Sequence, residues 1–274
     1  MTKDTQAWVL LAMAGTIVVG LTLWRMGLIT LTEEPLVFPA EVPAVPADSP
    51  APASEPRVEY PLTAPQTAHG LSGAELRRAL IELLGGRDAA SLLQLEDFSH
   101  RFVATVDNLG RSHAPPLVWP VNPTPDRFTV DEREGDPVVA ADNASRYTPF
   151  VLVAEAVDAR RAVDLYLRMY PALQRAYEDL GFPNRYFNDR LIEVIDLLLA
   201  TPQAEYPLQL RLTQVKGPVE SLRPWVRYEF ADPQLESLAA GQKIMLRVGP
   251  VNQRRLKAKL TEIRRELVAR IRTR

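Results

Sequence analysis

The sequence contains no cysteine and only three histidines among its 274 residues. The absence of cysteine excludes disulfide bonds, thiol nucleophiles, cysteine-ligated zinc, iron–sulfur clusters and c-type haem attachment. The sequence also lacks a GxSxG nucleophile elbow, a phosphate-binding loop, a dinucleotide fingerprint and an HExxH zinc motif. Nothing in the spacing of His69, His100 and His113 brings two of them together. We therefore expect no catalytic residue, no metal and no cofactor.

The net charge of −2 is a cancellation between unlike parts of the chain. Residues 33–65 contain six acidic residues, one basic residue and nine of the 24 prolines, and they carry a charge of −5. Residues 250–274 contain nine basic and two acidic residues, and they carry +7. The composition therefore indicates an acidic spacer and a basic C-terminal end in one chain.

One stretch near the N-terminus is long and apolar enough to span a membrane. Ala7–Trp24 contains no charged residue, and as an α-helix it is about 27 Å long, close to a bilayer core of roughly 30 Å. A tryptophan lies at each end, where interfacial indoles are favoured. A cleavable signal peptide is the alternative, but the small-x-small cleavage site that one requires is missing directly after Trp24. We predict that residues 1–32 form a single-pass anchor with its flanks.

The orientation of this anchor is indicated only weakly by charge. Lys3 and the α-amino group precede the apolar stretch and Arg25 follows it. The acidic segment beyond has no polybasic patch to hold it at a cytoplasmic leaflet. We predict an inner-membrane protein with its N-terminus in the cytoplasm and its globular domain in the periplasm.

Residues 33–70 are predicted to be a disordered linker. Repeated X-Pro steps disfavour helix and remove backbone donors, so polyproline II is the expected local conformation. At about 3.1 Å per residue the linker could reach on the order of 110 Å. Such a spacer would hold a domain away from the bilayer.

Residues 71–274 are predicted to form one globular domain, mainly α with a small antiparallel β element. Ser72 and Glu75 match a capping box that begins the first helix. An extended crossing with five prolines is expected at Ala114–Pro125. The other predicted helices are Asp88 to about Asn108, Asp158–Leu180 with a kink or division at Pro171, Pro183–Ala200, Asp232 to about Val248, and Asn252 to about Ile271.

Two pairs of strands are predicted in this domain. Leu208–Thr213 and Trp225–Phe230 alternate strictly between apolar and polar residues and flank Gly217–Pro218, which indicates an antiparallel hairpin. Arg127–Asp131 and Val138–Ala140 form a weaker candidate pair across an acidic turn.

Three carboxylates are the first candidate for chemistry. Asp189, Glu193 and Asp196 have i, i+4 and i+7 spacing, so they share one face of a helix. Such a stripe could bind a divalent cation or transfer protons. The alternative is a solvated face whose charge is offset by Arg185 and Arg190.

A turn at the end of the second predicted helix is the second candidate. Asp107, Asn108 and Arg111 could contact a ligand there. The structural alternative is that Asn108 or Gly110 ends the helix in a left-handed conformation.

The third candidate is the last predicted helix, which we call the basic helix. It admits contact with nucleic acid, with an anionic surface, or with acidic parts of the same chain. Nucleic acid is disfavoured for a periplasmic domain, and the remaining partners are an acidic envelope protein or an anionic envelope polymer. Its basic residues are Arg254, Arg255, Lys257, Lys259, Arg264, Arg265 and Arg270.

Several segments resemble an uncharacterised bacterial family whose domain has no known function. These segments are Phe102–Leu109, Phe187–Asp196, Tyr228–Pro233 and Ala240–Lys243. The resemblance covers roughly residues 72–270. It implies an N-terminal membrane anchor, a Pro-rich linker and one envelope domain, and it implies no activity and no catalytic residue.

These observations favour a membrane-anchored envelope protein that presents a non-enzymatic interaction domain on a long spacer. One alternative is an envelope hydrolase or metal-dependent enzyme that uses the three carboxylates together with Asp107. Another is a reversed topology, in which the basic helix contacts nucleic acid or lipid in the cytoplasm.

Overall fold

The computed structural model of the chain describes residues 58–62, 71–213 and 226–271. Within them the predicted class is confirmed, because the described chain is mainly helical and has two small antiparallel sheets. The helices are α1 (Gly73–Leu83), α2 (Arg87–Ala90), α3 (Phe98–Leu109), α4 (Thr148–Ala156), α5 (Ala159–Asp179), α6 (Phe187–Leu199), α7 (Pro233–Glu236), α8 (Ala240–Arg247) and α9 (Pro250–Val268). The strands are β1 (Val130–Arg133), β2 (Asp136–Val139), β3 (Leu210–Leu212) and β4 (Tyr228–Phe230).

The predicted anchor and most of the predicted linker lie outside the described residues. None of the helices described here combines the length and the apolar character that crossing a membrane requires.

The main core forms around α5, the longest of these helices. Asp158 caps its N-terminus by accepting a hydrogen bond from the Arg161 backbone, and its buried residues recur at helical spacing. Both α3 and α9 pack on α5 and on α6. Pro171 lies inside α5, but the helix is not divided there, because tertiary packing on both sides of the proline holds it together.

The two sheets share a second, smaller core. Strands β1 and β2 form a hairpin whose turn residues, Glu134 and Gly135, both have positive φ. Strand β3 pairs with β4, and an isolated bridge between Val138 and Gln209 connects the two hairpins. The loop predicted around Gly217–Pro218 lies outside the described residues. The buried residues of this second core are Val139, Leu208, Leu210, Phe230 and Leu246.

The single helix predicted from Asp88 to Asn108 is wrong, because the chain forms α2 and α3 with an extended stretch between them. The Pro-rich crossing explains the division. The Leu92 carbonyl accepts from the Asn122 N–H and the Gln94 N–H donates to Pro120, so this stretch bonds to the crossing instead of to a helix. Asp97 then adopts a left-handed conformation just before α3.

The helix predicted from Asp232 to Val248 is also divided, into α7 and α8. The Ala240 N–H donates to the Arg111 carbonyl, which fixes the start of α8 against the end of α3. A Cβ at Gly241 would lie 2.7 Å from Leu198 and 3.0 Å from the Leu109 carbonyl, so this glycine permits the close packing.

Three further helix boundaries differ from prediction. The helix expected from Pro183 begins at Phe187, and α4 was not predicted at all. The last helix begins at Pro250 and ends at Val268, two to three residues earlier than expected at each end. Gly249, with φ +89°, separates α8 from α9.

Candidate functional site

The three carboxylates of α6 lie on one face as predicted, but each is held by a different partner. Asp189 accepts hydrogen bonds from two backbone N–H groups, at 3.0 and 2.8 Å. Glu193 pairs with Arg190 at 2.9 Å. Asp196 receives a bidentate pair from Arg264, with N···O distances of 2.5 and 2.9 Å. The carboxylates are therefore engaged by cationic and backbone donors.

The side chains of the described residues include no group of three or more His, Asp or Glu arranged to hold a metal ion. The three α6 carboxylates nevertheless line one cavity of about 780 Å³. Arg185 and Arg190 line it too, as do residues 58–60. The cavity therefore has both acidic and basic side chains in its wall, and part of that wall is formed by a segment that precedes the domain in the sequence.

That segment, Val58–Leu62, we call the strap. It falls within the linker predicted to be disordered, yet here it lies against the domain. The side chains of Tyr186, Asn188 and Asp189, together with Ile271, form the strap groove.

The strap groove binds the strap mainly through its backbone. The N–H groups of Glu59 and Tyr60 both donate to the Asp189 carboxylate, which lies in the first turn of α6 where the helix dipole stabilises negative charge. The Asn188 side chain donates to the Tyr60 carbonyl at 2.9 Å, and the Leu62 N–H donates to the Tyr186 hydroxyl at 3.1 Å.

Asn188 connects the strap groove to the main core. Its side chain is fully buried, and its Oδ1 accepts a hydrogen bond from the Tyr166 hydroxyl at 3.0 Å. Burial raises the pKa of Tyr166 well above its ordinary value, so this hydroxyl stays protonated and remains a donor. Both polar ends of Asn188 are therefore used, one by the core and one by the strap.

The candidate turn after α3 is organised around a buried ion pair. Asp107, only 5% exposed, accepts from the Arg190 Nε at 3.1 Å and from the Arg111 Nη2 at 2.6 Å. The Arg190 Nη2 also donates to the Asp107 carbonyl at 2.8 Å. Burial lowers the pKa of Arg190, but the hydrogen bond and charge of Glu193, with the charge of Asp107, outweigh this effect and raise it. Asp107, Arg190 and Glu193 thus connect α3 to α6.

The predicted left-handed ending of α3 is wrong for both candidates, because Gly110 has φ −82° and Asn108 does not have a positive φ. Asn108 bonds back to the Ala104 carbonyl at 2.7 Å. A Cβ at Gly110 would lie 2.6 Å from the Arg190 Nη2, so the glycine leaves space for the guanidinium group. Arg111 lies over the Phe182 ring at 5.8 Å. Asp107, Asn108 and Arg111 therefore make internal contacts.

Most charges of the basic helix also contact the chain itself. Three of its side chains bond to the domain at close range: Lys257 to the Thr201 carbonyl, Lys259 to the Val157 carbonyl and Arg264 to Asp196. Arg254 and Arg265 are exposed. The remaining pairs are Arg255 with Glu155, Arg265 with Glu266, and Arg270 with Asp164 and Glu266. The sequence left three possible partners for this helix, and in the structure its basic residues contact acidic residues of the same chain.

The two histidines of the described domain have different neighbours. His100 contacts Asp97 at 2.7 Å and Asp179 at 3.6 Å, whereas His113 contacts Ser112. The structure therefore does not place them as a pair.

Sequence reasoning missed the strap and most of its groove. Tyr186 belongs to no motif, and Asn188 lies in Phe187–Asp196, a segment whose resemblance assigns it no role. Only Tyr60–Pro61–Leu62, an apolar group inside the acidic linker, could have signalled docking. A second cavity of about 460 Å³ was also missed. It is lined by Arg247, whose pKa is lowered by burial and which lies over the Phe230 ring at 5.0 Å.

Comparison with known proteins gives one match. A family model described as "Protein of unknown function (DUF3014)" matches residues 98–264, which contain α3, α6 and the Asp107–Arg190 pair. No curated protein and no solved structure matches the chain.

Proposed function

The chain belongs to the DUF3014 family of unknown function, and from that premise we propose that it presents a non-enzymatic interaction domain in the periplasm on a single-pass inner-membrane anchor. The observation that supports this most is the internal use of the candidate chemical groups. The α6 carboxylates, Asp107 and most cations of the basic helix are bonded to one another or to backbone. Groups bonded in this way suit a rigid interaction surface, and this supports the proposed non-enzymatic role over a site for proton transfer or metal binding.

The proposed location rests on the sequence. The uncharged stretch Ala7–Trp24 has the length of a membrane span, and the Pro-rich residues that follow suit a spacer. The proposed partner is an acidic envelope protein or an anionic envelope polymer, because Arg254 and Arg265 leave exposed positive charge on α9.

A topology fusion tests this location. A reporter that is active only outside the cytoplasm is fused after Arg274, and a matched fusion carries a reporter that is active only inside it. We expect activity from the first and none from the second. The reverse pattern would contradict the proposal, and deletion of residues 7–24 should abolish the activity of the first fusion.

One observation favours a metal-dependent enzyme as the second candidate. Asp189, Glu193 and Asp196 all line the 780 Å³ cavity. This candidate requires that Ca²⁺ or Mn²⁺ bind the wild type more tightly than the variant with all three replaced by alanine. Equal affinities, measured by titration calorimetry, would exclude it.

The reversed topology, with the basic helix on nucleic acid or lipid, is tested by salt. Binding by phosphate contact weakens steeply as salt rises. Salt-independent binding to DNA or to anionic vesicles would count against this alternative.

A further inference from the structure

We propose that the strap groove is a binding site for an extended peptide of a partner protein, and that the strap keeps this site closed by occupying it in cis. The proposal deepens the interaction function proposed above and rests on it. It names the surface, the chemistry that the partner must offer, and the contact that regulates access.

The groove recognises the main chain of its occupant. Four backbone groups of the strap are bound: the N–H groups of Glu59, Tyr60 and Leu62, and the carbonyl of Tyr60. Every extended peptide offers such groups, whatever its side chains. Recognition of an extended segment through its backbone, with pockets for a few side chains, is an established mode of peptide binding.

The groove also selects one side chain of its occupant. Leu62 is 7% exposed, joins the main core and forms an antiparallel bridge with Ile271. Glu59, by contrast, is exposed. A competing peptide therefore needs an aliphatic residue at the position of Leu62, two residues after the one whose N–H lies 2.8 Å from Asp189, and tolerates other residues elsewhere.

The groove offers its occupant the side-chain amide of Asn188 as a donor. Asn188 is fully buried, and its amide group donates to the strap carbonyl. Asn188 is buried with the strap in place, so removing the strap would leave this donor to water or to a new acceptor. Exchange of the strap for another extended peptide restores the bond.

The family match includes most of the groove but not the strap. It covers Tyr186, Asn188 and Asp189 but not residues 58–62. Three of the four groove residues therefore lie in the part of the chain that the family model matches, whereas Ile271 and the strap lie outside it.

Competition in cis sets the expected affinities. A segment tethered by a short connection acts at an effective concentration on the order of millimolar. A free peptide must displace it, so its apparent affinity is reduced by the fraction of molecules whose groove is open. Weakening the strap should therefore strengthen binding of the free peptide.

The experiment measures binding of a labelled synthetic peptide with the sequence of residues 56–63 to the purified full-length chain in detergent, by fluorescence anisotropy. The strap is weakened by Leu62→Asp, or more mildly by Glu59→Pro, which removes one exposed donor and leaves the core intact. We expect the peptide to bind Leu62→Asp at least about tenfold more tightly than the wild type. Glu59→Pro should shift the affinity in the same direction by less.

Two controls identify the groove. In the Leu62→Asp chain, Asp189→Ala should abolish binding, whereas Glu193→Ala should retain it, because Glu193 lines the same cavity but bonds to Arg190 instead of the strap. A peptide N-methylated at the residues equivalent to Glu59 and Tyr60 lacks both donors and should not bind.

Three results would overturn the proposal. The first is no binding to any of these chains, and the second is equal binding to the wild type and both strap variants. The third is a dimeric wild type in sedimentation that Leu62→Asp converts to monomer, since the strap would then occupy a second copy. The topology fusion does not depend on peptide binding. Its result therefore distinguishes a failure of the peptide-binding proposal from a failure of the proposed periplasmic location.

Discussion

Replacement of Arg190 by methionine should destabilise the domain strongly, because it leaves a buried carboxylate with one exposed partner. Arg190 is 15% exposed and Asp107 5% exposed. The substitution removes the Nε bond to the Asp107 carboxylate, the Nη2 bond to its carbonyl and the pair with Glu193. Methionine keeps most of the apolar stem, so the loss is chiefly one of charge and hydrogen bonds.

The magnitude follows from burial. Removing one partner of a fully buried ion pair costs about 3–5 kcal/mol. Arg111 still contacts Asp107 from the exposed side, which reduces the cost to about 2–3 kcal/mol. For a domain of this size that lowers the melting temperature by roughly 4–12 °C. The matched control is Glu193→Ala: this residue is 67% exposed, so the loss should be below about 1 kcal/mol.

Urea unfolding of the full-length chain, followed by far-ultraviolet circular dichroism, measures both variants. A double-mutant cycle with Asp107→Asn isolates the pair, and the two changes should be far from additive. If Arg190→Met costs no more than Glu193→Ala, the pair contributes no more than a surface contact, and the reasoning is refuted.

Three other substitutions test contacts elsewhere in the domain. Gly110→Ala should cost about 1–2 kcal/mol, because its Cβ would displace the Arg190 guanidinium from a bonded position, whereas Gly73→Ala, with open space around it, should be neutral in the same thermal melts. Tyr206 has a pKa raised by burial to about 12, above the ordinary value of 10 that it regains on unfolding, so its contribution to stability is complete below pH 10 and is lost as pH rises towards 12. Tyr206→Phe should therefore flatten the fall of the urea midpoint over that range, and an unchanged alkaline slope would contradict this assignment. Arg264→Ala should cost only about 0.5–1 kcal/mol, and less at high salt, because its pair with Asp196 is partly exposed; a loss that does not depend on salt would mean that the pair is not acting electrostatically.

The sequence correctly predicts those caps, helix ends and strand pairs whose interactions depend on residues close together in the chain or on a regular period. The Ser72–Glu75 capping box forms as predicted, with both reciprocal bonds. Asp158 caps α5, and α8 ends at Arg247, next to the predicted end at Val248. The alternating strands pair in an antiparallel hairpin, with Leu210 opposite Phe230. Each of these depends on backbone groups three or four residues apart, or on a period that the residue types display.

Long-range competition decided what local patterns could not. The stretch after α2 has helical periodicity, but its backbone bonds to the Pro-rich crossing some 28 residues later, and those bonds divide the predicted helix. The positions of the α6 carboxylates on one face were predictable from spacing. Their partners were not, because Arg264 and the strap are separated from them by 68 and 130 residues.

The sequence by itself determined the charge distribution of the chain, the mainly helical class and the residues that share the α6 face. Only the tertiary structure decided that Asp107 and Arg190 form a buried pair, that the basic helix bonds to its own domain, and that Val58–Leu62 occupies a groove. The physical reason is that a charged or polar group takes whichever partner the folded chain brings within about 3 Å. The periodicity of the sequence places a residue on one face of a helix, and tertiary packing determines which groups contact that face.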